Sequence, residues 1–343
     1  MRHVVLVAGF IALAISTSNA LAAEAARFHV DRSIPLAGDG FWDYLAVDGG
    51  SGRLFVTHGT HVQAVDLKSD SVVGDIPDTP GVHGVAFAPA LGRGFTSNGR
   101  DSSVTVFDLK TLAPISRVHL AARFPDAIAY EPISGRVFTF NGGSDNTSAI
   151  DAKTGRVVGT LALGGRPEFA VADGKGRMYV NLEDSSAVVA FDARTLTKLH
   201  RWSLAPGEEP TGLAMDREHR RLFSGCSNGK LIVLDADNGH RVAELPIGEM
   251  VDGVAFDPAR QLVLSSNGEG TLTVIHEDAP DRFTVLENAT TERGGRTLAL
   301  DPATGAVYIP TAHFGPPPAP TPDRPHPRPT ILPGTFHLLV VKQ

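Results

Sequence analysis

Ionisable side chains recur in this chain at a nearly fixed interval. Asp43, His83, Asp126, Glu168, Asp252 and Arg296 each open a short apolar run of the same type. With Thr211 counted, consecutive openings lie about 40 to 44 residues apart. Arranged in a ring, these runs would put four carboxylates and an arginine around one mouth. Convergent oxygens of this kind suit a hard cation such as calcium, which takes roughly six to eight oxygen ligands. They equally suit a polyhydroxylated or cationic small molecule. A second set is His58, His83 and His313. Three imidazoles near Asp43 make the open ligand set of a zinc or copper centre, with a fourth position left for water. The candidate cofactor is thus a divalent metal: zinc, copper or calcium. No HxH or HExxH spacing is present, so the histidine set depends wholly on the fold. Polar groups at such a mouth also serve as solvated rim, or as hydrogen-bonding ties between neighbouring loops.

The elements that must position these residues are strands. The openings read DYLAVD, HGVAFA, DAIAYE, EFAVAD, TGLAMD, DGVAFD and RTLALD. Each is followed by a turn and a second apolar segment: RLFVTHG, RGFTSNG, RVFTFNG, RMYVNLE, RLFSGCS, QLVLSSN and AVYIPTA. A third segment (HVQAVD, SVTVFD, TSAID and their equivalents) and a fourth (SVVGDIP, APISRVHL and onward) complete the unit. The segments are short, β-branched or aromatic, and bounded by Gly, Asp, Asn or Pro, which is strand and hairpin chemistry. Four strands every 40-odd residues is the period of a propeller blade. The seventh unit lacks a fourth strand, and RFHVDRSIPL near the N-terminus has that pattern. The expected fold is all-β: a seven-bladed β-propeller with four antiparallel strands per blade, the last blade closed by the N-terminal strand. Antiparallel connectivity puts the opening residues at one mouth of the central channel. It brings the ends of the second strands to the same face: His58, Asn98, Asn141, Asn181 with Glu183, Cys226, Asn267 and His313.

These units resemble the YVTN-type seven-bladed propellers, close to the YncE-like exported bacterial proteins. The resemblance runs from Arg27 to Gln343. It rests on the Gly-Arg start and aromatic-Val centre of the second strands, the VFDLKT, AIDAKT and AFDART ends of the third, and Pro80, Pro125, Pro167 and Pro210 before the openings. It implies the architecture and an exported location, and no settled catalytic chemistry. Blade 7 departs from the pattern through a proline-rich insertion at residues 315–330. That insertion falls on the same face as the openings, as a stiff lid or as a docking strap carrying Arg324, His326 and Arg328.

Residues 1–22 have the form of a signal peptide. A short positive start precedes an apolar run at residues 4–15, and a small-x-small site allows cleavage at Ala22-Ala23. The run is too short to span a bilayer, so residues 23–343 are expected to form a periplasmic or secreted propeller without a transmembrane segment. A net charge of −7 disfavours nucleic acid as a partner, and the single cysteine excludes a disulfide framework or a CxxC site. A monomer is expected. Asp66, Asp108, Asp151, Asp192 and Asp235 end third strands, where a carboxylate caps the next turn. The leading function is a non-catalytic module that binds a small molecule, ion or protein through the top face. The alternative is a metal-dependent hydrolase, lactonase or lyase at the channel mouth.

Overall fold

Each repeat folds as an antiparallel sheet because its four apolar runs are short, β-rich and separated by turn formers that permit left-handed backbone. In blade 1 the strands are Trp42–Asp48, Arg53–His58, His61–Asp66 and Ser71–Ile76, paired in that order. The computed structural model describes residues 27–38, 40–321, 327 and 329–343. The leader at residues 1–22 lies outside the described residues, as do Arg324, His326 and Arg328 of the insertion. Five more blades repeat the scheme, with inner strands Val82–Ala88, Pro125–Glu131, Pro167–Ala172, Pro210–Asp216 and Val251–Asp257. Third-strand aspartates cap the turns as expected. Asp66 Oδ1 accepts the N–H groups of Lys68 and Ser69, and Asp108, Asp151 and Asp192 make equivalent bonds.

The seventh blade closes the ring. Its strands are Ala299–Leu300, Val307–Thr311 and His337–Lys342, and His29–Pro35 pairs along the last of these as the outermost strand. The inner strand is shorter than expected. Arg296 precedes the paired stretch, and its carbonyl instead accepts the N–H groups of Asp252 and Gly253 from blade 6.

Packing explains why the second and third segments are apolar almost throughout. Successive side chains of a strand face opposite ways, and every blade is covered on both faces. Leu54 and Val56 pack toward blade 7 against Leu338 and Val340, while Phe55 between them packs toward blade 2 against Phe107. Seven such clusters, one for each pair of neighbouring blades, make the core.

One irregularity recurs. In six blades the register between the first and second strands shifts at the opening residue: between Trp42 and Leu45, Val82 and Gly84, Pro125 and Ile128, Pro167 and Ala170, Pro210 and Leu213, and Val251 and Gly253. A bulge leaves a backbone group off the ladder and re-aims a side chain. Here a hydroxyl one residue before the end of the second strand takes up the orphan. The Asp43 N–H donates to Thr57 Oγ1 (3.0 Å) and the Gly84 N–H to Ser97 Oγ (3.0 Å).

The closing strand should carry much of the stability. A variant lacking residues 27–36 loses the burial of Phe28, Ile34 and Leu36 and exposes His337–Lys342 as an open edge. Urea unfolding should show a loss of about 5 kcal/mol or more, and size-exclusion chromatography should show self-association.

Candidate functional site

Five of the bulged openings converge on the axis, and Arg296, ahead of the paired stretch of blade 7, joins them. Asp43, His83, Asp126, Glu168, Asp252 and Arg296, expected at the mouth, are brought together there from six blades. His83 Nδ1 lies 2.6 Å from Asp43 Oδ2 and 3.4 Å from Asp126 Oδ1. Arg296 donates through Nε to Asp252 Oδ2 (2.5 Å) and through Nη2 to Asp43 Oδ1 (3.4 Å). Tyr44, which no charge pattern marks, reaches across the axis from blade 1. Its hydroxyl donates to Glu168 Oε1 on blade 4 (3.2 Å), and its ring packs edge-on against Phe169 at 4.8 Å. The result is a polar bowl. Thr211, the seventh opening residue, ties blades instead: its hydroxyl donates to the Val251 carbonyl.

Four carboxyl groups share this bowl with two cationic groups, and protons relieve the imbalance. Burial, reinforced by Asp126 and Asp252, pushes the Glu168 carboxyl up to about 10. Burial pushes Asp126 up to about 7 against the opposing charge of His83. Asp252 is also raised, because burial outweighs Arg296. For His83, burial works against the charged ring, but the hydrogen bond to Asp43 and the charge of Asp126 prevail and raise its pKa. Two buried oxygens, Asp126 Oδ1 and Glu168 Oε2, have no hydrogen-bond partner. His83 Nδ1, 3.4 Å from the former, is already committed to Asp43.

The rim is apolar and partly strained. Phe41 and Phe124 stand 40% exposed and Met250 52%. Phe124 and Met250 hold left-handed backbone (φ 55° and 59°) at the position where blade 2 carries Gly81 (φ 66°), which costs on the order of 1 kcal/mol or more for each. The Arg296 guanidinium lies over the Phe41 ring at 5.3 Å, and Phe124 meets His83 edge-on at 4.9 Å. His83 also needs Gly99, where a Cβ would come within 2.8 Å of its Nε2. Beside the bowl a cleft of about 450 Å³ opens between Arg123, Phe124, Gly142, Gly143 and Arg166.

The histidine set does not assemble. His58 is buried against Phe336 (ring centroids 4.4 Å) and His61 (5.0 Å) under the loop containing Gly38. His83 sits in the bowl, and His313 lies on blade 7 beside His337 (5.5 Å). The reason is geometric: His58 ends a second strand, one strand away from the axis, and His313 lies two residues beyond the second strand of blade 7, on the outgoing arm of the insertion. The asparagines expected on this face are likewise diverted. Asn98, Asn141 and Asn267 are fully buried, and each binds side-chain oxygens within its own blade, as Asn98 does with Thr96, Ser103 and Thr105. Asn181 stands one residue earlier in its strand and therefore faces the other way. It donates to the Thr211 and Gly212 carbonyls of blade 5. Glu183 pairs with Arg166 at 3.1 Å. Cys226 is buried, and burial pushes its thiol up to about 12, so it is inert packing.

The site the bulges do assemble contains Asp43, His83 and Asp126, one ligand-type atom of each within 4.8 Å of the others. Fold and site together define a seven-bladed β-propeller with a charged bowl at one mouth. Residues 100–279 match the family model described as outer membrane protein assembly factor BamB, and the chain belongs to this family of repeats. No curated protein matches it significantly. Among solved structures it is similar to a chain of the mitotic checkpoint complex (TM-score 0.74, 13% identity, 98% of this chain and 99% of that one). The WD40 repeats of RRP9 superpose as well (0.74, 8% identity, 91% and 97%). A chain of Kuenenia stuttgartiensis hydrazine synthase follows (0.67, 14% identity, 83% and 95%). At these identities the likeness is one of fold.

The raised carboxyls link stability to pH. Native Glu168 and Asp126 hold protons that the unfolded chain releases above about pH 4. Their contribution is therefore fully present below that pH. It is lost as the pH rises, through 7 for Asp126 and on toward 10 for Glu168. Replacing Glu168→Gln supplies a permanently neutral group. Thermal melts should show the variant several degrees more stable than the parent at pH 8, roughly 1–2 kcal/mol, with the gain shrinking toward pH 4.

Proposed function

We propose that the protein is an exported binding module whose bowl takes up a cationic group, either an organic ammonium or guanidinium or a metal ion. The observation behind this is the pair of partnerless buried oxygens on Asp126 and Glu168. A buried carboxyl kept neutral by an unfavourable site is a ready counter-ion. An arriving cation makes ionisation favourable, and the proton leaves as the ligand enters. The exposed rings of Phe41 and Phe124 favour an organic cation, since aromatic faces attract such groups. A retained carboxyl that weakens the fold is also what a binding site costs.

The periplasm or the exterior is the proposed location. The apolar leader supports it, as does a family description that places its members in outer-membrane assembly. Among the described residues no helix is long and apolar enough to cross a membrane. A second reading, metal-dependent hydrolysis of esters or lactones, draws on the close approach of Asp43, His83 and Asp126. Two carboxylates and an imidazole are a workable ligand set for a divalent ion.

Calorimetric titration separates the two. Spermidine should bind the purified chain near pH 8 and release protons, seen as a dependence of the heat on buffer ionisation enthalpy. Glu168→Gln and Asp126→Asn should each weaken it about tenfold. If spermidine and calcium both fail to bind, or bind the variants equally, cation capture is wrong. Turnover of a lactone by manganese- or zinc-loaded protein, abolished in His83→Ala, would establish the hydrolase instead.

A further inference from the structure

The proline-rich insertion leaves and rejoins blade 7 through a built joint, distinct from the bowl. Its two arms pair: the Gly315 N–H donates to the Thr330 carbonyl (2.8 Å) and the Leu332 N–H to the His313 carbonyl (2.9 Å), with a bridge between Phe314 and Ile331. The His313 N–H donates to Thr335 Oγ1 (3.0 Å). Phe314 packs against Trp42, and its ring covers Gly294, where a Cβ would come within 2.4 Å. The loop joining blades 6 and 7 is thereby held against the base of the insertion. Three side chains meet at this joint: Glu292 from the loop, His313 from the outgoing arm and His337 from the returning one. One ligand-type atom of each lies within 4.8 Å of the other two.

The hydrogen bonds of His337 restrict what can occupy the joint. Its Nδ1 is 2.8 Å from the Thr335 carbonyl, which can only accept, so Nδ1 carries a proton. Its Nε2 is 3.0 Å from Glu292 Oε2, an acceptor as well when ionised. Two lone pairs at that distance repel unless a proton, on either atom, or a metal ion lies between them. An imidazole whose Nδ1–H is fixed by a backbone carbonyl, with Nε2 turned to a carboxylate, has the orientation used by metal-binding histidines. Two imidazoles and one carboxylate, with a fourth position for water, is a zinc-class set.

We propose that Glu292, His313 and His337 bind a zinc-class divalent ion that fastens both arms of the insertion to the loop between blades 6 and 7. Bonds of about 2.0–2.1 Å in a tetrahedron place ligand atoms roughly 3.3 Å apart. The Glu292–His337 pair, at 3.0 Å, is already close to this spacing. The exposed ring of His313 closes the remainder by turning about its own side-chain bonds, on a backbone that the arm pairing holds in place.

The test uses the full chain after chelator treatment. Zinc chloride should bind at one equivalent by calorimetry, and Glu292→Gln, His313→Ala and His337→Ala should each weaken it by at least about tenfold. Zinc should also slow proteolysis within residues 315–335 of the parent and not of the variants. His313 is exposed, so its variant keeps the test valid if His337→Ala misfolds. Absence of saturable zinc binding, or zinc that survives all three variants, overturns the proposal. So does a stoichiometry that drops only on His83→Ala, which assigns the metal to the bowl.

Discussion

Every feature of this molecule depends on the ring closing. A blade cannot bury both of its apolar faces alone, and Phe55 and Leu54 on opposite sides of one strand are satisfied only when two neighbours are present. Seven blades meet that need only as a circle, and the circle is sealed where His29–Pro35 lies along His337–Lys342. Inner strands then stand side by side around one axis. Residues some 40 positions apart in sequence become neighbours for no other reason.

Closure alone does not make a site; the bulges do. A regular strand alternates its side chains between faces that both contact neighbouring blades, which leaves none for the axis. The irregularity at each opening turns one residue out of that alternation. Thr57 and Ser97 then satisfy the displaced backbone from the adjoining strand. The charged bowl is the sum of these local exceptions. Its composition carries an electrostatic consequence, because four carboxyls against His83 and Arg296 cannot all be charged in so buried a place. Protons fill the deficit.

Much of this was legible in the residues. The seven openings and the closing strand follow from periodicity, because the blades repeat the same turn chemistry. The gathering of Asp43, Asp126, Glu168, Asp252 and Arg296 follows from connectivity. The rest depended on details that periodicity does not encode. Asn98 and Asn181 look equivalent, yet one residue of register turns Asn98 into its own blade and Asn181 toward the next. His58 lies on a second strand and His313 beyond one, so neither reaches the axis where His83 sits. Tyr44 reads as an ordinary strand aromatic, and nothing near it in sequence announces Glu168 as its partner. Glu292 and His337 are separated by the whole insertion, so their meeting appears only once the arms pair.

Tyr44 also determines how traffic at the bowl must run. A phenol laid across the axis from blade 1 to blade 4, buried and braced by Phe169, gives the depression a floor. An occupant of the bowl therefore meets this phenol at its lower end. The open side of the bowl is the mouth rimmed by Phe41, Phe124 and Met250. A macromolecule seated on that rim would act as a stopper, trapping an occupant already inside or barring one that has yet to arrive.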